Sequence, residues 1–93
     1  MTNKELLKEV KEGTHFVKFH ANWCGPCKVA TKVIGKWMPN NNVNLIEINI
    51  DTFGETAQEY SVRNIPTLLV FRDGEIVERL VGVPTETQLN QYS

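Results

Sequence analysis

A hairpin signal in the last third of the chain constrains the fold more than any other feature. Residues 67–71 (T-L-L-V-F) and 75–81 (E-I-V-E-R-L-V) are rich in β-branched and aromatic side chains, which favour strands. Between them lies Arg72-Asp73-Gly74, and Asp-Gly is the strongest short-range signal for a tight two-residue turn. The sequence therefore predicts that these two segments pair as antiparallel strands.

Upstream of the hairpin, strand-like and helix-like segments alternate. Residues 16–20 (F-V-K-F-H) and 43–50 (V-N-L-I-E-I-N-I) are short and rich in apolar residues, so they predict strands. Helix-type spacing and cap residues predict helices over 3–12, 25–38 and 54–61, with a last short helix after Thr85. The predicted order of elements is therefore αβαβαββα.

This order predicts an α/β fold. Strands that are joined through a helix pair in parallel with right-handed crossovers, whereas strands of a hairpin are antiparallel. We therefore expect a mixed four-stranded sheet with helices on both faces. A chain of 93 residues suits a single domain over residues 1–93.

Charge and hydropathy exclude several classes of partner. Ten basic and eleven acidic side chains give a net charge of −1 without a block of either sign, so we expect no nucleic-acid binding. The apolar runs are too short to span a membrane, and the first residues lack the apolar core of a signal peptide. We therefore expect a protein of the reducing cytoplasm, where two close cysteines are more often catalytic or metal-binding than structural.

Both cysteines lie in one short motif, W-C-G-P-C-K at residues 23–28. The motif follows a predicted strand and opens a predicted helix, so Cys24 should lie where unpaired amides and the helix dipole favour a thiolate. Cys27 should lie inside the first turn and be more buried, and Pro26 fits that turn because no amide donor is needed there. This placement predicts that Cys24 attacks a substrate disulfide and that Cys27 resolves the mixed disulfide.

A second motif, I-P-T-L-L-V-F, begins at Ile65 and places Pro66 just before a predicted strand. The residues alone leave the isomer of this X-Pro bond open, with trans as the more frequent form. W-C-G-P-C-K, N-I-D, I-P-T-L-L-V-F, D-G-E and V-G follow one another as they do in thioredoxins. Over roughly residues 14–90, the chain therefore resembles the thioredoxin family.

The resemblance implies a role for each matching residue. Cys24 would be the exposed nucleophile, Cys27 the resolving thiol, and Pro66 a cis-proline beside the disulfide. The backbone of Ile65 would hydrogen-bond an extended substrate. A shallow apolar groove for that substrate would be formed by Trp23, Gly25, Pro26, Ile65 and the loop Val81, Gly82 and Val83.

The resemblance also implies an activity and partners. Family members reduce disulfides in protein substrates through a redox-active disulfide, here Cys24–Cys27, and Gly-Pro between the cysteines is typical of reducing members. No bound cofactor and no metal are expected, because electrons would come from a separate flavin- and NADPH-dependent enzyme resembling thioredoxin reductase. We expect a monomer in the cytoplasm, or in the host cytoplasm if the chain is virus-encoded.

Two departures from the family pattern carry further expectations. No strand is predicted before the first helix, so the sheet should have four strands where relatives have five. A family aspartate six residues before the first cysteine is replaced by Lys18, and the lysine that neighbours it on the next strand is replaced by Glu47. Both have apolar neighbours in strands expected at the centre of the sheet, so we predict a buried Lys18–Glu47 pair beneath the active site.

Two hypotheses for the role of this pair stay open. In one, Glu47 accepts the proton of Cys27 through water. In the other, Lys18 favours the Cys27 thiolate electrostatically. The alternative to both is that Lys18 and Glu47 reach solvent at the rim of the sheet, because such side chains are rarely fully buried.

Three other interpretations of the cysteines also stay open. A zinc site could use His15 and His20, although both precede the cysteines on a strand and Gly-Pro at a helix start does not resemble a zinc-binding loop. A disulfide oxidase or isomerase would use the same motif at a different reduction potential. A non-enzymatic binding module would use the same groove, although it would not need two intact cysteines.

Overall fold

The computed structural model describes the whole chain, Met1–Ser93. Its strands are β1 (Thr14–His20), β2 (Asn44–Asn49), β3 (Thr67–Arg72) and β4 (Glu75–Val81). Its α-helices are α1 (Asn3–Glu9), α2 (Gly25–Trp37), α3 (Gly54–Glu59) and α4 (Glu86–Asn90), and a 3₁₀ turn over Met38–Asn40 follows α2. The predicted order αβαβαββα is confirmed.

The four strands form one mixed sheet in the order β2-β1-β3-β4. β1 pairs with β2 in parallel, whereas β3 pairs with β1 and β4 in antiparallel fashion. The predicted mixed four-stranded sheet is therefore confirmed, and no residue before Thr14 pairs into it. Two expectations are wrong. β3 follows a helix and was expected to pair in parallel, but it is antiparallel to β1, because it does not pair with β2, the strand before that helix. β2 lies at an edge of the sheet, because no further strand pairs with its outer side.

Local sequence signals explain where the elements begin and end. The side chain of Thr2 accepts a hydrogen bond from the Glu5 amide, and the Glu5 carboxylate accepts one from the Thr2 amide, so α1 begins with a capping box. This helix ends at Glu9, earlier than its apolar spacing predicts, because the chain then turns into β1 through Gly13, whose φ is +83°. Asp73 and Gly74 have φ values of 52° and 89°, as a type I′ hairpin turn requires.

Two layers of side chains cover the two faces of the sheet. The α1/α3 layer consists of Leu6, Val10, Val17, Phe19, Ile48, Ala57, Leu69 and Phe71. The α2/α4 layer consists of Phe16, Ile34, Trp37, Val43, Leu68, Val70 and Leu89. Because successive strand residues point to opposite faces, Lys18 lies on the α2/α4 side with Phe16, whereas Val17 and Phe19 lie on the other.

None of the helices is both long and apolar enough to cross a membrane.

Candidate active site

The two cysteines lie where β1 gives way to α2, near the carboxyl end of a central strand. Cys24 is the N-cap residue of α2, and Cys27 lies in its first turn. The two form a disulfide with their Cα atoms 5.3 Å apart. Sites in open α/β sheets form at this edge, so the structure places the motif where the sequence predicts it.

The sulfur of Cys24 caps the helix. Its Sγ accepts a hydrogen bond from the backbone N–H of Cys27 at 3.1 Å, an amide that has no partner within the helix. The first turn of α2 contains no acidic residue, so no side chain there offsets the positive end of the helix dipole. A donor and a dipole directed at one sulfur favour its thiolate form, which is the attacking species in disulfide exchange.

The expected exposure of Cys24 is not found. Cys24 and Cys27 are 4% and 3% exposed, so accessibility does not distinguish them in this disulfide-bonded form. Both pack with Ala21, and Ile50 and Ile65 lie against the same small cluster. The disulfide holds the sulfur of Cys24 against these side chains, and the helix cap is what sets it apart from Cys27.

The loop before β3 and the loop after β4 lie at the same end of the sheet as the disulfide. The Ile65–Pro66 peptide bond is cis, as the resemblance implies, and Ile65 packs against the cysteine cluster. The amide of Gly82 donates to the carbonyl of Pro66 at 2.8 Å, and Val81 pairs with Thr67. These contacts bring the 81–83 loop beside the proline loop, although the two are far apart in sequence.

Several apolar side chains around the disulfide are open to solvent. Trp23 is 70% exposed, and its indole N–H donates to the carboxylate of Asp51 at 3.0 Å. Val81 is 60% exposed and Val83 is also exposed. Large exposed apolar side chains next to a reactive group are typical of a surface that binds another protein.

Lys18 and Glu47 form the predicted pair. Their Nζ and Oε1 atoms are 3.5 Å apart, and the ammonium of Lys18 also donates to the hydroxyl of Thr31 on α2. Lys18 is 2% exposed, so its burial is confirmed. Glu47 is 42% exposed, so the expectation that both members are buried is wrong. The reason is the position of β2 at the edge of the sheet, where one flank of Glu47 has no covering strand.

An open pocket of about 160 Å³ is lined by this pair and by Cys27. Besides these three residues, its lining includes Thr31, His20 and Lys28. Thr31 also donates its hydroxyl to the Cys27 carbonyl at 3.0 Å. The charged pair and the disulfide therefore share one pocket.

Sequence reasoning missed two residues of the site. Thr31 follows Cys27 by four residues on a helix, and threonine at that spacing commonly bonds the carbonyl one turn back, which was the available signal. Asp51 follows β2 at the carboxyl edge of the sheet, in the quoted N-I-D motif, and this placement could have suggested its contact with Trp23.

The donor set of a zinc site does not come together. His15 lies at the start of β1, where its Nε2 contacts the Glu12 carbonyl oxygen at 2.7 Å, whereas the cysteines follow the other end of that strand. No group of three or more histidine, cysteine, aspartate or glutamate side chains is arranged to hold a metal ion.

Comparisons with known proteins agree with this geometry. The family model described as "Thioredoxin" matches residues 1–93. A thioredoxin of Bacillus subtilis is 37% identical over 92 residues, which cover 97% of this chain and 88% of the relative. Thioredoxin-2 of Pyricularia oryzae is 38% identical over 85 residues, and these span 88% of this chain and 50% of that longer protein.

Solved structures show the same fold. A point mutant of a thioredoxin from Halobacterium salinarum superimposes with a TM-score of 0.85 at 32% identity, covering 96% of this chain and 80% of the other. Oxidised mitochondrial thioredoxin 3 of Saccharomyces cerevisiae gives a TM-score of 0.87 at 25% identity, covering 97% and 86%. The paired cysteines and these relatives support the dithiol–disulfide exchange of a protein-disulfide oxidoreductase. The chain belongs to the thioredoxin family.

Proposed function

We propose that this protein reduces disulfide bonds in other proteins, with Cys24 as the attacking thiolate and Cys27 as the resolving thiol. The observation that carries this assignment is the hydrogen bond from the Cys27 amide to the Cys24 sulfur at 3.1 Å. It stabilises negative charge on Cys24 at the helix N-terminus. The Cys27 sulfur has no equivalent bond from the protein, so the two thiols are not interchangeable.

The reaction takes place in two exchanges. The Cys24 thiolate attacks one sulfur of the substrate disulfide, a mixed disulfide forms, and the other substrate sulfur leaves with the electron pair and takes up a proton. Cys27 then loses its proton and attacks the Cys24 sulfur. The Cys24–Cys27 disulfide forms, and the second substrate sulfur leaves as a thiolate that takes up a proton. Two electrons and two protons pass from the dithiol to the substrate.

The groove beside the disulfide is proposed to bind the substrate chain. It is formed by Trp23, Gly25, Pro26, Ile65 and the loop Val81, Gly82 and Val83. The exposed side chains of Trp23 and Val81 support this assignment, as does the contact of Ile65 with the cysteine cluster. Trp23→Ala should raise KM for a protein disulfide and leave the rate with a small aromatic disulfide unchanged. Equal effects on both substrates would assign Trp23 to the chemistry instead.

The proposal extends to the partners of the reaction. The spent disulfide would be reduced by a separate flavin- and NADPH-dependent reductase, so the protein itself needs no bound cofactor. Residues 1–93 would act as one domain and as a monomer. Such a cycle suits the cytoplasm, where thiols are kept reduced. NADPH consumption by a purified thioredoxin reductase, coupled to this protein and a disulfide substrate, tests the electron source. No consumption with active protein would contradict it.

Reduction of insulin disulfides by dithiothreitol tests the proposed function directly. Catalytic amounts of the protein should greatly shorten the time before reduced insulin precipitates, and Cys24→Ser should remove that effect. Lys36→Met serves as a control, because Lys36 is exposed and lies near the far end of α2.

A binding module is the second candidate. The exposed apolar groove favours it, because such a surface can bind a partner protein without redox chemistry. If folded wild-type protein does not accelerate insulin reduction, this second function replaces the first.

A further inference from the structure

The two exchange steps do not account for one buried charge, the ammonium of Lys18. Lys18 is 2% exposed on the central strand β1, with Leu68 directly opposite it on β3. A buried ammonium is costly unless it has partners, so the contacts of its Nζ atom indicate what it does.

Two groups hold the ammonium of Lys18. The carboxylate of Glu47 lies 3.5 Å away, and the hydroxyl of Thr31 accepts a hydrogen bond from Nζ. Glu47 is 42% exposed and remains solvated, so it balances the charge of Lys18 without itself being buried. The cation thus lies on the buried, inner side of the pair, and the anion lies on the side that is open to solvent.

The inner side faces the resolving cysteine. Thr31 accepts from Lys18 and donates to the Cys27 carbonyl at 3.0 Å, so one hydroxyl links the lysine to the first turn of α2. Lys18 and Cys27 also line the same pocket of about 160 Å³. A buried cation acts on a neighbouring charge with little screening, whereas the exposed Lys28 beside Cys27 acts through water.

We propose that Lys18 is a positioning residue for the second exchange, in which its ammonium stabilises the Cys27 thiolate. This inference rests on the proposed function. In that step Cys27 releases its proton through the open pocket to water and attacks the Cys24 sulfur. The Cys24–Cys27 bond forms, and the bond from Cys24 to the substrate breaks with its electron pair on the substrate sulfur. Lys18 takes no proton and forms no bond, and it acts only through its charge.

The same geometry disfavours Glu47 as the base. Glu47 is 42% exposed at the edge of the sheet, whereas Lys18 is buried on the side of the pair nearer Cys27. The Oε1 atom of Glu47 already contacts the ammonium of Lys18 at 3.5 Å. Glu47 therefore holds Lys18 in place.

Other titratable groups share this environment. On β1 there is His20, on α2 there are Lys28 and Cys24, and on β2 there is Glu47. His20 lines the same pocket as Cys27, so His20→Gln is needed to separate any contribution of His20 from that of Cys27.

The experiment uses reduced protein and 5,5′-dithiobis(2-nitrobenzoic acid) in stopped flow. Attack by Cys24 releases one thionitrobenzoate, and attack by Cys27 on the mixed disulfide releases a second. The second release should speed up with pH as Cys27 ionises. In Lys18→Met its midpoint should move upward by about one pH unit, which slows it about tenfold at neutral pH. The second-release rates of wild type and Lys18→Met should become equal at high pH, where Cys27 is ionised in both.

Control variants separate a charge effect from a structural one. Lys36→Met removes an exposed lysine from α2 and should not move the midpoint. Glu47→Gln keeps an oxygen acceptor for Lys18 and removes a negative charge near Cys27, so its midpoint should stay or fall. A slower second release in Glu47→Gln would overturn the proposal in favour of a carboxylate base, even if Lys18→Met failed to fold.

The two releases also separate the inference from the function on which it depends. If wild-type protein gives no first release, the exchange function itself fails. If both releases occur and Lys18→Met retains the wild-type midpoint, the function stands and the role of Lys18 is refuted.

Discussion

The α1/α3 layer and the α2/α4 layer pack on opposite faces of the same strands, yet they differ at the end of the sheet nearest the disulfide. On the first face, β1 presents Val17 and then Phe19, and both are buried among apolar side chains. On the second face, β1 presents Phe16, then Lys18, and the apolar cluster stops before the lysine. One face is therefore apolar along β1, whereas the other contains a charged pocket beneath the cysteines.

This difference separates the part of the molecule that stabilises the fold from the part that supports the chemistry. Burial of Phe19 contributes free energy of folding in proportion to the apolar area removed from water. Burial of Lys18 contributes little to stability, since desolvation of an ammonium offsets its attraction to a carboxylate. The free energy of unfolding should thus respond strongly to mutation of Phe19 and only weakly to mutation of its neighbour Lys18.

The largest expected effect is on the apolar face. Phe19→Ala should lower the free energy of unfolding by about 3–5 kcal/mol, because a fully buried ring is lost and a cavity is left. Denaturant unfolding, followed by circular dichroism, measures the change. Leu7→Ala is the matched control, because Leu7 is exposed on α1 and should cost far less. If Phe19→Ala lost no more free energy of unfolding than Leu7→Ala, the proposed difference between the two faces of the sheet would be contradicted.

A smaller effect is expected on the charged face. Lys18→Met should leave the free energy of unfolding within about 1 kcal/mol of wild type, or raise it, because methionine has a similar length and no ammonium to desolvate. Glu47 is already 42% exposed, so the variant does not leave a fully buried charge without a partner. The same unfolding experiment applies, and a loss of about 3 kcal/mol or more would show that the pair stabilises the fold.

The smallest expected effect is on the pH dependence of stability, and it comes from two tyrosines, one in each layer. Burial raises the pKa of Tyr60 on the α1/α3 side, and the nearby Glu59 adds to the shift. Burial also raises the pKa of Tyr92 on the α2/α4 side, together with its hydrogen bond to Glu78. Both folded-state pKa values lie above the ordinary value of 10.0, so the stability these phenols contribute is present below pH 10.0 and lost as pH rises above it.

Thermal unfolding above and below this pH tests the tyrosine prediction. Tyr92→Phe and Tyr60→Phe should each reduce the alkaline loss of Tm, since phenylalanine has no proton to lose. If the alkaline loss of Tm is unchanged in both variants, groups other than these two tyrosines cause it.

The element order could be predicted from sequence because its signals are local. The apolar period, the cap residue Thr2 and the Asp73-Gly74 turn each act over a few residues, and each has its predicted effect in the structure. The position of the cysteines at the start of α2 follows from the same local patterns.

Other features depend on long-range pairing that no local pattern encodes. The exposure of Glu47 depends on which strand lies outside β2, and the sheet order leaves that side open. The burial of Cys24 depends on Ile65, which approaches from a distant loop. The hydrogen bond from Lys18 to Thr31 could not be predicted either, because it depends on α2 packing over Lys18.

The assignment of Cys24 as attacker and Cys27 as resolver is the central claim, and trapping of mixed disulfides tests it most directly. Cys27→Ser and Cys24→Ser would each be incubated, as reduced protein, with a disulfide-bonded peptide and analysed by intact mass spectrometry without reductant. We predict a stable covalent adduct with Cys27→Ser, which can attack but cannot resolve, and none with Cys24→Ser. An adduct that accumulates on Cys24→Ser and not on Cys27→Ser would show that the two roles are reversed.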